Sequence, residues 1–153
     1  MRRKDREVTD FTEIAGILSR ADTFRLGING SPYPYVVPLS FGMDASGGKI
    51  VLFFHGAAEG FKHDLLARDP NVCVEADAMR GYAAAEGGYT AAYESFIGFG
   101  KARAVTGAEA LRGLDLLMER CGFAGAPYDR SAPDYTRVYR IDLISFTGKR
   151  RVI

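Results

Sequence analysis

LFFHGAAEGFKHDLL, residues 52–66, places an aromatic run, a histidine, a glycine-bounded turn and a lysine within fifteen positions. KIVLFF has the unbroken apolarity of a buried strand, and AEGFKHDLLARDP reads as a helix with Phe61, Leu65 and Leu66 inward and Pro70 closing it. A strand that turns straight into a helix lets backbone N–H groups of the turn and first helical turn converge on one anion, and Lys62 adds a full charge. That is the form of a phosphate site. It is equally the form of an ordinary strand-to-helix connection whose lysine is solvated. His55, at the strand end, is placed either to donate to a ligand or to bond a carbonyl as a half-buried imidazole. His63, on the helix, is expected to be exposed.

Around this stretch the chain reads as strands with helices set between them. DFTEIAGILSRA has capping-box spacing in Asp10 and Glu13 and an apolar stripe through Phe11, Ile14, Ile17 and Leu18. TFRLGIN alternates and runs into Asn29-Gly30, a turn signal. YVVPLSF and KIVLFFH supply two strands separated by the loop GMDASGG, and NVCVEAD another after the helix. Residues 79–92, MRGYAAAEGGYTAA, show no sustained period and read as a surface loop, mobile over the substrate side, though the alanine run equally fits one helical turn. YESFIGFGKARAV is a long strand whose Gly98 and Gly100 predict a bulge or a close backbone approach. GAEALRGLDLLMERCG follows as an amphipathic helix, and the chain closes with a strand over about Arg137–Ser145, a turn at Thr147-Gly148 and a terminal strand. About six strands with helices at three points fit a single domain over 1–153, mainly β, an antiparallel barrel with helices outside it.

The composition excludes several classes of function. Twenty Lys and Arg against nineteen Asp and Glu leave a formal charge of +1, so no global field draws the chain to nucleic acid or to a membrane. No apolar run reaches the length of a membrane span and no signal region follows the basic start, which predicts a cytoplasmic protein. That start, Arg2, Arg3, Lys4 and Arg6, reads as a solvated tail. Cys73 and Cys121 are too few for a disulfide framework, and His55 and His63 lack a third ligand at metal-binding spacing. Neither Ser40 nor Ser95 sits in a nucleophile elbow, and neither a GxGxxG after the first strand nor a P-loop occurs.

Three blocks, YPYVVPLSFG at 33–42, LFFHGAAEGFKHDLL at 52–66 and YESFIGFGKARAV at 93–105, together resemble the nitroimidazole-resistance (Nim) branch of the pyridoxamine 5'-phosphate oxidase-like flavoproteins. The opening MRRKDREVTD and the late FTGKR extend the likeness over nearly the whole chain. The resemblance implies a six-stranded antiparallel split β-barrel that dimerises and holds FMN, or alternatively FAD, at the dimer interface. It places Val36, Val37, Pro38, Leu39 and Ser40 along the strand beside the flavin ring. Phe54, His55 and Gly56 line the ribityl and phosphate region, Lys62 binds the phosphate, and Ser95 is a polar group near the flavin, contributed by the partner subunit.

Two departures from that pattern bear on function. Phe61 stands where the branch often has a basic residue, which removes one phosphate contact. The chain also lacks tryptophan and the late Arg-x-His pairing used in pyridoxine-phosphate oxidation, so vitamin B6 oxidation is not expected. The resemblance then implies an FMN-dependent reductase in which a nicotinamide donor reduces the flavin and a nitroaromatic or quinone accepts the electrons. The alternative is a protein that binds flavin or haem without turnover.

Overall fold

The computed structural model describes residues 3–153, and over them the chain is one antiparallel sheet with helices against it. Helix α1 (Phe11–Ser19) starts where the capping spacing puts it: the Asp10 carboxylate accepts the Glu13 N–H at 2.9 Å, and Ile14, Ile17 and Leu18 are buried. One orphan donor is thereby satisfied and the apolar stripe turns onto the sheet. In β2 (Phe24–Ile28) the alternation holds, with Phe24, Leu26 and Ile28 in the core and Arg25 outside. Its partner β3 (Tyr35–Leu39) lies at the edge of the sheet, where Pro38, lacking an N–H, is tolerated. β4 (Gly42–Ser46) and β5 (Lys49–Ala57) form the next hairpin, and β5 leads through a three-residue turn into α2 (Phe61–Arg68).

β6 (Asn71–Ala85) and β7 (Gly88–Val105) pair along their whole length, from Asn71↔Lys101 to Ala85↔Gly88. Residues 79–92 are therefore not a loop but the outer part of this hairpin. Beyond Tyr93 neither strand has a further neighbour among the described residues, so apart from Ala92 at its root no residue of this stretch is buried and no apolar alternation marks the strands. β8 (Thr136–Arg151) is likewise unbroken where a turn was expected at Thr147-Gly148. Gly148 lies beneath α1, since a Cβ on it would sit 3.0 Å from Ile14 Cγ1. That glycine marks close packing of a helix on a strand.

The basic start is not a free tail from Arg3 onward. Lys4–Arg6 form a single 3-10 turn, and β1 (Glu7–Val8) pairs with Lys149 and Gly148 of β8; Arg2 lies outside the described residues. The strand order is β3-β2-β6-β7-β8-β5-β4 with β1 on β8, eight strands rather than about six. β7 and β8 shift register between Phe99 and Gly100, where a Cβ on Gly100 would fall 2.3 Å from the Asp142 carbonyl oxygen. The predicted close approach is thus present, and only glycine fits it.

Phe24, Phe41 and Phe54 meet edge to face at the centre of the core, with ring centroids 5.1 and 6.2 Å from that of Phe24. α3 (Gly107–Arg120) covers β4 and β5. From its last turn Arg120 lays its guanidinium 3.9 Å over the Phe41 ring and donates to the carbonyls of Leu18 and Ala21, capping the end of α1. α4 (Ala132–Tyr135) leads into β8. Among the described residues no helix is long and apolar enough to cross a membrane.

Candidate functional site

β5 delivers Phe54, His55 and Gly56 to one end of the sheet, and the turn after Ala57 sends the chain back as α2. Gly60, the residue before the helix, has φ +145° and supplies no side-chain cap, while the His63 N–H closes back on the Gly60 carbonyl at 2.9 Å. The N–H groups of Phe61 and Lys62 have no acceptor among the described residues. They form the positive end of the α2 dipole. Lys62 is folded back over the strand end: a Cβ on Gly56 would lie 2.6 Å from its Nζ and 2.8 Å from its Cε. Only a residue without a side chain leaves room for the ammonium there. The strand end and the lysine therefore meet at the start of α2, with the Lys62 ammonium beside Gly56.

His55 is exposed and lies across from Val138 in the β5–β8 ladder. Partial desolvation first, and Lys62 second, hold its pKa below the ordinary imidazole value, so it is neutral at pH 7. The Phe54 side chain is in the core, stacked flat on Tyr139 with centroids 5.0 Å apart and planes at 4°, so what it presents to a ligand is its backbone.

Two residues on α2 lie opposite to where the sequence suggests. His63 is 2 % exposed and packs parallel to Tyr139, with centroids 5.5 Å apart and Nδ1 3.1 Å from the Tyr139 hydroxyl. Phe61, expected inward, is exposed and meets Tyr35 edge-on at 5.3 Å and 89°. The buried arc of α2 runs over His63, Leu65 and Leu66, which leaves Phe61 at its edge beside Leu65 rather than within it. The Phe61–Tyr35 contact brings the start of β3 against the start of α2. Val36 and Pro38 on β3 point outward, Val37 and Leu39 are half-buried, and Ser40 beyond them is exposed. Because β3 is an edge strand, one side of its backbone is unpaired and free to hydrogen-bond a planar ring laid beside it.

Ser95 does not join this group within one chain. It pairs with Lys149 on β8, whereas His55 pairs with Val138, eleven residues away along the same strand. That is roughly 35 Å of extended chain.

Sequence reasoning missed Tyr139, the residue that holds His63, because VYRID signals a strand but not the ladder register that sets Tyr139 beside Phe54. It also missed Glu94, a buried carboxylate within reach of Arg20, Arg80 and Arg150. Arginines scattered over three elements give no spacing signal.

The profile of the family described as pyridoxamine 5'-phosphate oxidase matches residues 10–150, nearly the whole chain. The chain belongs to that family. Among solved structures, a candidate 5-nitroimidazole antibiotic resistance protein from Bacteroides thetaiotaomicron is 28% identical, with a TM-score of 0.82 over 94% of this chain and 85% of its own. The flavocytochrome Anf3 from Azotobacter vinelandii superposes at a TM-score of 0.79, with 19% identity over 100% of this chain and 72% of its own. A FAD and heme binding protein from Mycobacterium smegmatis does so at 0.80, with 18% identity over 95% and 73%. Likenesses at such low identity establish the shared split-barrel fold. Among curated proteins none matches the sequence. Within the pyridoxamine 5'-phosphate oxidase family, the sheet order and flanking helices described above are those of the mainly β, antiparallel split-barrel class that the sequence predicts.

Proposed function

We propose that this member of the family is a flavin-dependent oxidoreductase that binds FMN, with the phosphate at the turn between Gly56 and Lys62. The observation that carries the reading is the Lys62 ammonium packed over Gly56 beside the uncapped start of α2, a cradle that a Cβ would fill. Such a cradle suits a dianionic phosphate, because free N–H groups, a helix dipole and one full charge converge on it. The resemblance to the Nim branch favours FMN, and the neighbours from Azotobacter and Mycobacterium, named for a flavocytochrome and for FAD and heme, support a flavin without distinguishing FMN from FAD.

In this reading Lys62 and the Phe61 and Lys62 N–H groups hold the phosphate, and His55, neutral at pH 7, is a hydrogen-bond partner toward the ribityl chain. The exposed backbone edge over Val36–Leu39, with Ser40, orients the ring. A bound flavin supplies the hydride and electron transfer itself. The protein's part is to fix the ring and leave one side open to a small acceptor, a nitroaromatic or a quinone, after a nicotinamide donor has reacted.

The site is completed in a homodimer. Val36, Gly27, Cys73, Phe99 and Ser145 are register partners in a row across five strands, so they share the outer face of the sheet, and none carries a charge. Val36, Phe99 and the nearby Ile144 are 60%, 55% and 73% exposed. A second copy covering this row buries them and brings Ser95 of one chain toward the flavin of the other. The test is the absorption spectrum of the purified protein with and without a nicotinamide donor under anaerobic conditions. Flavin bands that bleach on addition of the donor are expected; a Soret band, or flavin that no donor reduces, overturns the enzyme reading in favour of a binding protein.

A further inference from the structure

His63 is the one histidine in the core, and half of its hydrogen-bonding capacity is used. Nδ1 meets the Tyr139 hydroxyl at 3.1 Å, while Nε2 is buried and has no partner among the described residues. The direction of Nε2 follows from its two ring neighbours. Cε1 is 3.7 Å from where a Cβ on Gly56 would stand, and Cδ2 is 3.7 Å from the same point on Gly60. Nε2 lies between those two carbons, so it faces the span from Gly56 to Gly60, the inner side of the turn that Lys62 closes. The Ala57 carbonyl, in that same turn, is the backbone acceptor near the ring and favours its protonated form, but it stands outside good hydrogen-bonding geometry to Nε2.

Which atom carries the proton can be argued from Tyr139. Burial first, with Lys62 adding to it, lowers the His63 pKa, so the ring is neutral and has one proton to place. If Nδ1–H donated to the tyrosine oxygen, the Tyr139 O–H would be left without an acceptor in the core, because its hydroxyl has no other partner. If instead Tyr139 donates to Nδ1, both of those groups are satisfied and the proton sits on Nε2. A buried donor left unmet is costly, so one aimed at an anion-binding turn points to an acceptor supplied by the ligand.

We infer that His63 Nε2–H is a donor to a terminal phosphate oxygen in the Gly56–Lys62 turn, that Tyr139 is the positioning residue that sets its tautomer, and that together they select a phosphate monoester. The inference rests on the reading of this turn as the flavin phosphate site and adds a specificity element to it. The Phe61 and Lys62 N–H groups and the Lys62 ammonium approach from the helix, and His63 closes the inner side of the turn. Three terminal oxygens of a monoester use these donors. The bridging phosphates of a dinucleotide offer fewer free oxygens at one phosphorus and carry a bulky substituent into the closed end. The chain therefore prefers FMN to riboflavin through the phosphate.

The experiment is a fluorescence titration of the apoprotein with FMN, FAD and riboflavin, on the wild type, His63→Leu and Tyr139→Phe. His63→Leu is expected to weaken FMN about ten- to a hundredfold, the usual effect of losing one donor to a charged acceptor, and to leave riboflavin unchanged. Tyr139→Phe keeps the stack on Phe54 and frees the tautomer, so a smaller loss, again confined to FMN, is expected. If the wild type binds FMN no more tightly than riboflavin, the turn is not a phosphate site and both readings fall. If the wild type prefers FMN and His63→Leu retains that preference, the phosphate site stands and the role of His63 is overturned, its Nε2 being met by the Ala57 carbonyl or by water. Long-range nitrogen-proton NMR of the unmutated protein gives an answer that does not depend on the variants folding. The Nε2–H tautomer, with its resonance moving on addition of FMN or inorganic phosphate, supports the inference; the Nδ1–H tautomer contradicts it.

Discussion

Arg20, one residue past the end of α1, holds Glu94 of β7 in a two-pronged pair, with Nε to Oε1 and Nη2 to Oε2 both at 2.8 Å. Arg80 on β6 donates to the same carboxylate at 2.6 Å, and Arg150 on β8 approaches it at 3.5 Å. Glu94 thus joins a helix and three strands at the root of the hairpin arm that extends past the rest of the sheet.

The Glu94 carboxyl is held down to about 2 from an ordinary 4.5, by the Arg20 hydrogen bond first and Arg80 in support, against the desolvation that opposes them. A depressed acid stabilises the fold above its unfolded value and stops doing so as pH falls through the folded one. Thermal melting should accordingly be insensitive to this group at neutral pH and lose its contribution between about 4.5 and 2. Glu94→Gln is expected to cost about 1 to 3 kcal/mol at pH 7, discounted because the arginines are half exposed, and to flatten that part of the pH profile. An unchanged melting temperature and acid profile in the variant would show the cluster to be energetically neutral.

Much of this architecture could be read in the sequence, wherever one side of an element is buried. Phe24, Leu26 and Ile28 alternate because β2 has the core on one face, and Asp10 and Glu13 mark the first turn of α1 because a cap needs a short acid at that spacing. The hairpin arm was illegible because it has no buried face to impose a pattern. His63 was misread for a related reason: a polar residue on a short helix reads as exposed unless its partner is known, and Tyr139 stands seventy-six residues away. The strand-to-helix turn was legible because its parts are local.

Gly56→Ala tests the cradle itself. The added methyl would fall 2.6 Å from Lys62 Nζ, the free end of a flexible chain, so the fold should survive while the ammonium is pushed out. FMN affinity should drop by about tenfold with riboflavin affinity and the melting temperature nearly unchanged. Equal loss for both ligands would instead locate the effect in the ring site.

Lys62→Ala removes the full charge and should weaken FMN by about ten- to a hundredfold. Phe61→Arg works against two effects. It adds a cation beside the turn, which should tighten FMN most visibly at low salt, and it gives up the edge-on contact with Tyr35, worth about 0.5 to 1.5 kcal/mol. The variant should therefore bind FMN more tightly while melting a few degrees lower. No change in affinity for Lys62→Ala would mean that the phosphate is held elsewhere.

Phe99 is the largest side chain in the uncharged row from Val36 to Ser145, paired with Cys73 on one side and Ser145 on the other, with more than half of its surface exposed. Its neighbours in the next row include Ile97, also exposed, and the Arg25–Glu75 pair at 3.0 Å, so on that side the apolar band is flanked by charges that are already matched. Such a band, if two copies meet on it, excludes water without stranding a charge. A stable interface of this kind buries at least about 1,200 Å² in total. Light scattering of the wild type at micromolar concentration should give twice the chain mass, and Phe99→Lys should shift it to the monomer by placing an unpaired ammonium at the centre of the contact. Because Phe99 faces away from the core, the monomer should keep the far-ultraviolet circular dichroism of the dimer. If flavin is shared between subunits, Ser95 being eleven residues from the phosphate turn along β8, that monomer should also bind FMN more weakly although every residue of the turn is intact. A monomeric wild type with one tightly held FMN per chain would rule out the shared site.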